Sequence, residues 1–161
     1  MTPGATPAPS SPGAQVPANG AAAAPAPTGA AKPDEQEAYR QAYAKVKAQQ
    51  FAAAIQSFNA FLADYPNSSL VPNAYYWLGE LHLVESPQNL PGAEQAFNTL
   101  LKSYPLHNKA PDALYKLGRV EFQKGNKAKA RELLQRVIDD YGSSGSSAPQ
   151  LAKQFLDENF R

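Results

Sequence analysis

The sequence predicts an all-α fold: a solenoid of three helical hairpins closed by a C-terminal capping helix. Three observations predict it. A helix-ending tyrosine recurs at Tyr65, Tyr104 and Tyr141, with spacings of 39 and 37 residues. Apolar residues at helical spacing precede each tyrosine, and a proline that suits a first helical turn follows the first two. A period of this length is typical of stacked supersecondary units.

The hairpins are expected at residues 34–66, 72–105 and 111–142, and the capping helix at 149–160. Apolar stripes identify the second helix of each hairpin: Phe51, Ile55, Phe58 and Leu62; Ala93, Phe97, Leu100 and Leu101; Ala130, Leu133, Leu134, Val137 and Ile138. The capping helix should cover the third hairpin with Leu151, Phe155 and Leu156, because a terminal repeat otherwise leaves an apolar face bare.

Two Leu-Gly pairs, Leu78-Gly79 and Leu117-Gly118, predict where the helices of a hairpin meet. Glycine in a helix interior costs about 1 kcal/mol relative to alanine, so it needs a reason. Close approach of the facing helix is that reason. The expected facing residues are Ala93 and Phe97 in the second hairpin, and Ala130 and Leu134 in the third.

Residues 1–33 differ in composition from the rest of the chain. They contain eight prolines, eleven alanines, no aromatic residue and a single charge, Lys32. Such a segment cannot bury enough apolar surface to offset the entropy of ordering. We therefore expect a disordered Ala/Pro-rich linker at 1–33 and a folded domain at 34–161.

The charge balance and the residue types exclude several classes of function. The predicted domain carries equal numbers of basic and acidic residues, 14 of each, which argues against a nucleic-acid surface. The chain has no cysteine and no apolar run long enough to span a membrane. His82 stands on a helix where the repeat pattern expects a tyrosine, so a core or interhelical role is expected for it. His107 has no neighbour of ligand type, so neither histidine is expected to be catalytic. We predict no catalytic residue, no metal site and no cofactor, and hence a protein that is not an enzyme.

The repeated residues resemble the tetratricopeptide repeat, whose pattern combines an aromatic residue, Leu-Gly, Ala-x-x-x-Phe and a closing Pro. The second hairpin matches best, the third matches moderately and the first is degenerate. The matching residues are Tyr75, Leu78, Gly79, Ala93, Phe97 and Pro105; Leu114, Leu117, Gly118, Ala130 and Leu134; and Ala42, Ala54, Phe58 and Pro66. The resemblance implies a protein-binding architecture.

The long form of the repeat, with Tyr-Pro-x-Ser before the loop and Pro-x-Ala after it, is similar to one family in particular. It resembles the C-terminal domain of the Tol-Pal system accessory family, YbgF, also called cell division coordinator CpoB. The resemblance implies a periplasmic adaptor that binds TolA and helps to coordinate peptidoglycan synthesis with outer-membrane constriction during cell division. A bifunctional penicillin-binding protein is the second implied partner.

Family members are also imported by a signal peptide and trimerise through an N-terminal coiled coil. Neither element is found in this sequence, so the chain itself is expected to be a monomer. The alternative reading is a scaffold subunit of an outer-membrane lipoprotein or pilus assembly machine. A lipid-modified cysteine upstream would favour that alternative, whereas a coiled-coil heptad pattern upstream would favour the Tol-Pal family.

The first helix of each hairpin should line a concave groove that takes a partner segment. Tyrosines stand three residues before Ala42, Gly79 and Gly118, and further positions follow one and two turns later. The predicted partner-binding residues are Tyr39, Tyr43, Tyr76, Glu80, Leu83, Tyr115, Arg119 and Phe122. The simpler reading, in which the tyrosines only fill space between neighbouring hairpins, stays open at this point.

Overall fold

A computed structural model describes residues 30–161, which form seven α-helices and no strand. The helices are α1 Pro33–Lys47, α2 Phe51–Asp64, α3 Val71–Val84, α4 Leu90–Ser103, α5 Ala110–Gln123, α6 Lys127–Tyr141 and α7 Ala148–Asn159. No helix in this part of the chain combines the length and apolarity needed to cross a membrane. The predicted linker lies outside the described residues, except for its last few positions.

The helices pair and stack as an all-α solenoid, which confirms the predicted fold class. α1 packs on α2, α3 on α4 and α5 on α6, and these three pairs are the hairpins. Successive hairpins join through contacts between α2 and α3 and between α4 and α5. α7 packs against both α6 and α5 and so covers the end of the stack.

Hydrogen bonds give the three tyrosine-containing joints a common pattern, which recurs after Tyr141 through the N–H groups of Ser144 and Ser146. Tyr65 and Tyr104 end α2 and α4, and their carbonyls accept from the N–H groups of Ser68 and His107 at 3.0 Å. The side chains of Ser68 and His107 then accept the N–H group two residues further on, at 3.2 Å and 3.1 Å. Local side-chain acceptors of this kind fix a turn before a helix begins. His107 is thus a structural residue of a joint.

The two helical glycines lie where the sequence placed them, against the facing helix of their own hairpin. A Cβ atom on Gly79 would lie 2.4 Å from the ring of Phe97, and one on Gly118 would lie 2.9 Å from Cγ of Leu134. Phe97 and Leu134 are fully buried. The missing side chains therefore allow α3 to approach α4, and α5 to approach α6, around a large apolar side chain.

The capping helix covers the third hairpin with two of its three expected residues. Ala148 and Ala152 are fully buried, and Phe155 and Leu156 pack against the core around α5 and α6. Leu151 is 41% exposed, so its predicted contact with the third hairpin is wrong. The reason is helical geometry, because Leu151 lies about 100° around the helix from Ala152, outside the apolar stripe.

A buried carboxylate ties the second hairpin to the third. Glu121 on α5 has a fully buried side chain, and its Oε1 accepts from Lys129 Nζ at 2.6 Å while Oε2 accepts from Asn126 at 2.7 Å. Lys124 and Lys129 also reach Glu94 on α4, at 2.6 Å and 3.5 Å. Burial on its own raises the pKa of Glu121, but the hydrogen bonds from Lys129 and Asn126 outweigh it and lower the pKa to about 2.

The close approach at Gly79 predicts an asymmetric response to added methyl groups. Gly79→Ala should lower the free energy of unfolding by about 2 kcal/mol, because the rigid Phe97 ring must move. Gly118→Ala should cost less than Gly79→Ala, because its Cβ would lie 2.9 Å rather than 2.4 Å from the facing side chain and alanine favours the helix by about 1 kcal/mol. Urea unfolding of both variants measures the difference. Adding Phe97→Leu should restore part of the loss in Gly79→Ala, and equal losses in the two single variants would contradict this account.

The Glu121 network predicts a pH dependence of stability. Its folded-state pKa lies below the value of about 4.3 for an unfolded glutamate, so the network stabilises the fold fully above that value. This contribution should disappear as the pH falls from about 5 to about 2. Glu121→Gln should cost about 2 kcal/mol at pH 7 and should flatten the stability profile across this acid range. The control is Glu132→Gln on the exposed side of α6, and equal acid sensitivity of both variants would exclude the assignment.

Candidate protein-binding groove

The groove is the surface that α1, α3 and α5 present together, and its three parts differ in how open they are. We use the name for the predicted binding positions on these helices and for the side chains beside them. The part between α1 and α3 is aromatic. The part between α3 and α5 is a depression lined by aliphatic, polar and charged side chains. The part beside α7 is covered.

Aromatic side chains dominate the part between α1 and α3. The Tyr43 and Trp77 rings lie 5.1 Å apart between centroids, and Tyr76 follows at 6.0 Å from Trp77. All three are half-buried, so each offers an edge or a face to solvent. Burial raises the pKa of Tyr76, and the nearby Glu80 and Asp112 carboxylates add to the shift. Tyr76 is therefore neutral at physiological pH, and its hydroxyl is free to donate or to accept.

Tyr39 is held inside the first hairpin rather than displayed. Its ring packs edge-on against Phe58 at 5.5 Å and Phe61 at 5.8 Å. Burial raises its pKa to about 12, with Trp77 acting in the opposite direction. These contacts favour a packing role for Tyr39 over a partner-binding role.

The part of the groove beside the third hairpin is covered by the capping helix. Tyr115 is only 8% exposed, and Phe122 packs against Phe155 at 5.2 Å and Phe160 at 5.5 Å. The three tyrosines therefore do not form an open stripe of equivalent positions, because Tyr115 is buried. The physical reason is that α7 stacks on α5, which no pattern within α5 reveals.

The second part is a depression between α3 and α5. Three predicted residues, Glu80, Leu83 and Arg119, line it together, with Val84, Gln88, Lys116, Val120 and Gln123 beside them. Val84 is 53% exposed, which makes it an apolar contact point on this face. Lys116 Nζ pairs with Glu80 Oε2 at 3.0 Å and so links the two helices across the depression.

Glu80 carries an unmet hydrogen-bonding capacity. Its Oε1 is buried and has no hydrogen-bond partner among residues 30–161. A buried acceptor without a donor costs free energy, so this oxygen is a local weak point of the packing between α3 and α5. Within the same residues, no cluster of three or more histidine or acidic side chains is arranged to hold a metal ion.

Sequence reasoning missed Val84 and Lys116. Val84 directly follows the predicted groove residue Leu83, so the helical pattern of α3 could have indicated it as a further exposed position. The Lys116–Glu80 ion pair joins residues on different hairpins. It depends on how the hairpins stack, and the sequence contains no local signal for it.

Comparisons with known proteins agree with this architecture. A family model described as tetratricopeptide repeat matches residues 39–108 and 88–145. Two sequences from Pseudomonas putida, both described as cell division coordinator CpoB, are 49% identical to this chain over 47 residues. This alignment covers 29% of the chain and 18% of the length of each relative. The matched helical hairpins, their Leu-Gly contacts and their stacking lead to one conclusion: the chain belongs to the tetratricopeptide repeat family.

Proposed function

We propose that this chain is a periplasmic adaptor of the Tol-Pal cell-envelope system, which binds TolA. In this role it helps to coordinate peptidoglycan synthesis with outer-membrane constriction during cell division. A bifunctional penicillin-binding protein is the proposed second partner. The observation that carries the proposal is the 49% identity to cell division coordinators within a domain of stacked repeats.

The groove supports a binding role over a catalytic one. Its depression combines the exposed aliphatic side chain of Val84 with Arg119 and the Lys116–Glu80 ion pair. The half-buried aromatic residues extend this surface toward α1. Aromatic and arginine side chains are the residue types that contribute most to protein–protein affinity. The aliphatic and aromatic parts supply contact area, and the charged part orients a partner.

The alternative of a lipoprotein or pilus assembly scaffold receives less support. Tetratricopeptide repeats occur in many assemblies, so the fold alone does not choose between them. The relatives found are described as cell division coordinators, which favours the Tol-Pal proposal.

Removing the exposed aliphatic contact should weaken TolA binding. Val84→Ser should raise the dissociation constant for a periplasmic TolA fragment by about tenfold, because an apolar contact at the centre of an interface contributes about 1.4 kcal/mol or more. Calorimetry with the purified chain measures this constant. The matched control is Leu106→Ser, since Leu106 is 98% exposed but lies in the joint between α4 and α5.

Two outcomes would count against the proposal. If the unmodified chain fails to bind the TolA fragment, the proposed partner is wrong. If Val84→Ser and Leu106→Ser weaken binding equally, TolA does not use the depression. The same pair of variants tests the penicillin-binding protein.

A further inference from the structure

Three cationic side chains of the groove each lie over the ring of a groove tyrosine. The separations from the ring centroids are 4.9 Å for Lys109 over Tyr76, 5.3 Å for Lys47 over Tyr43 and 5.9 Å for Arg119 over Tyr115. A cation–π contact attracts the charged group to the ring face and so holds its position. Groove tyrosines therefore position Lys47 and Lys109, and Arg119 is held between Tyr115 and the Phe155 ring of α7, which lies at 5.7 Å.

None of these three cations has a carboxylate partner within residues 30–161. Each of the ion pairs in this region involves other basic residues: Arg40, His82, Lys116, Lys124, Lys129 and Arg136. Contact with a ring face leaves N–H donors of lysine and arginine available. The three cations thus keep their capacity to bind an anion.

The acidic side chains near the groove do not balance these charges. Glu80 is paired with Lys116, and Asp112 accepts a long hydrogen bond from the Ser146 hydroxyl at 3.4 Å. Glu121, also on α5, is buried in the network with α6. In the groove, four basic residues, Lys47, Lys109, Lys116 and Arg119, therefore stand against two acidic ones, Glu80 and Asp112.

We infer that the groove recognises an acidic segment of its protein partner. Carboxylates of the segment pair with Lys47, Lys109 and Arg119, while its apolar side chains contact Leu83 and Val84. This inference rests on the proposed function and specifies the chemistry of the partner.

A neutral or basic segment fits this surface less well. A neutral segment would leave the three cations desolvated in part and without ionic partners, and a basic segment would meet charges of the same sign. Complementary charges steer association and suppress wrong partners, whereas like charges across an interface are costly. Charge complementarity therefore selects the acidic segment.

Three synthetic peptides of one design test the inference. Each contains leucine and alanine at fixed positions, and the remaining positions are all Glu, all Gln or all Lys. Trp77 is the single tryptophan of the chain and lies between Tyr43 and Tyr76, so its fluorescence reports binding in the groove. We expect the Glu peptide to bind about tenfold more tightly than the Gln peptide, and added salt to reduce this difference.

Paired variants with the same change of net charge localise the effect. Lys109→Gln with Arg119→Gln should weaken binding of the Glu peptide by about tenfold, because two groove cations are lost. The control is Lys102→Gln with Arg136→Gln, which removes two exposed cations from the second helices α4 and α6. Thermal unfolding checks that both variants are folded. If the groove variant is not, Lys47→Gln provides the same test at an exposed position on α1.

Equal affinity for the three peptides, or no binding of any of them at millimolar concentration, overturns the inference. So does an equal effect of the groove variant and its control. The adaptor proposal fails separately. If TolA binds the groove variant as tightly as the unmodified chain, TolA stays the partner but the groove does not recognise an acidic segment of it. If the chain binds the Glu peptide but not TolA, the groove recognises acidic segments and TolA is the wrong partner.

Discussion

Close contact between a helical glycine and a large apolar side chain sets the geometry of two hairpins. Gly79 leaves room for the Phe97 ring, and Gly118 leaves room for Leu134. In each pair the helices approach until the apolar side chain fills the space that a Cβ atom would take. Because the first helices are fixed in this way, their opposite faces come to lie side by side. The groove exists as a consequence of this packing.

Stacking adds a second constraint, since a hairpin cannot cover its own apolar faces. The joints after Tyr65, Tyr104 and Tyr141 share one hydrogen-bonding pattern, so the same kind of turn precedes α3, α5 and α7. The network around Glu121 then links α4, α5 and α6 by charge-assisted hydrogen bonds. α7 ends the series by packing where a further hairpin would start, and it covers the groove at Phe122 in doing so.

The openness of the groove therefore changes along its length, and this change limits where a partner can bind. The α1–α3 part presents half-buried rings, the α3–α5 part presents Val84 and unpaired charge, and the last part is closed by the capping helix. Aromatic area and positioned cations lie next to each other on the open parts. That combination gives the surface both contact area and a preference for charge.

The sequence by itself determined the helical hairpins, their period and the residues that meet inside each hairpin. These features depend on contacts that recur at fixed spacing, so periodicity and the two Leu-Gly pairs report them directly. Only the tertiary structure decided which predicted groove residues are open. Tyr115 and Phe122 follow the same local pattern as Tyr76 and Leu83, yet α7 covers them. The pairing of Glu80 with Lys116 and the burial of Glu121 also depend on how separate helices stack. Local sequence patterns do not report such contacts, because the helices meet only in the folded chain.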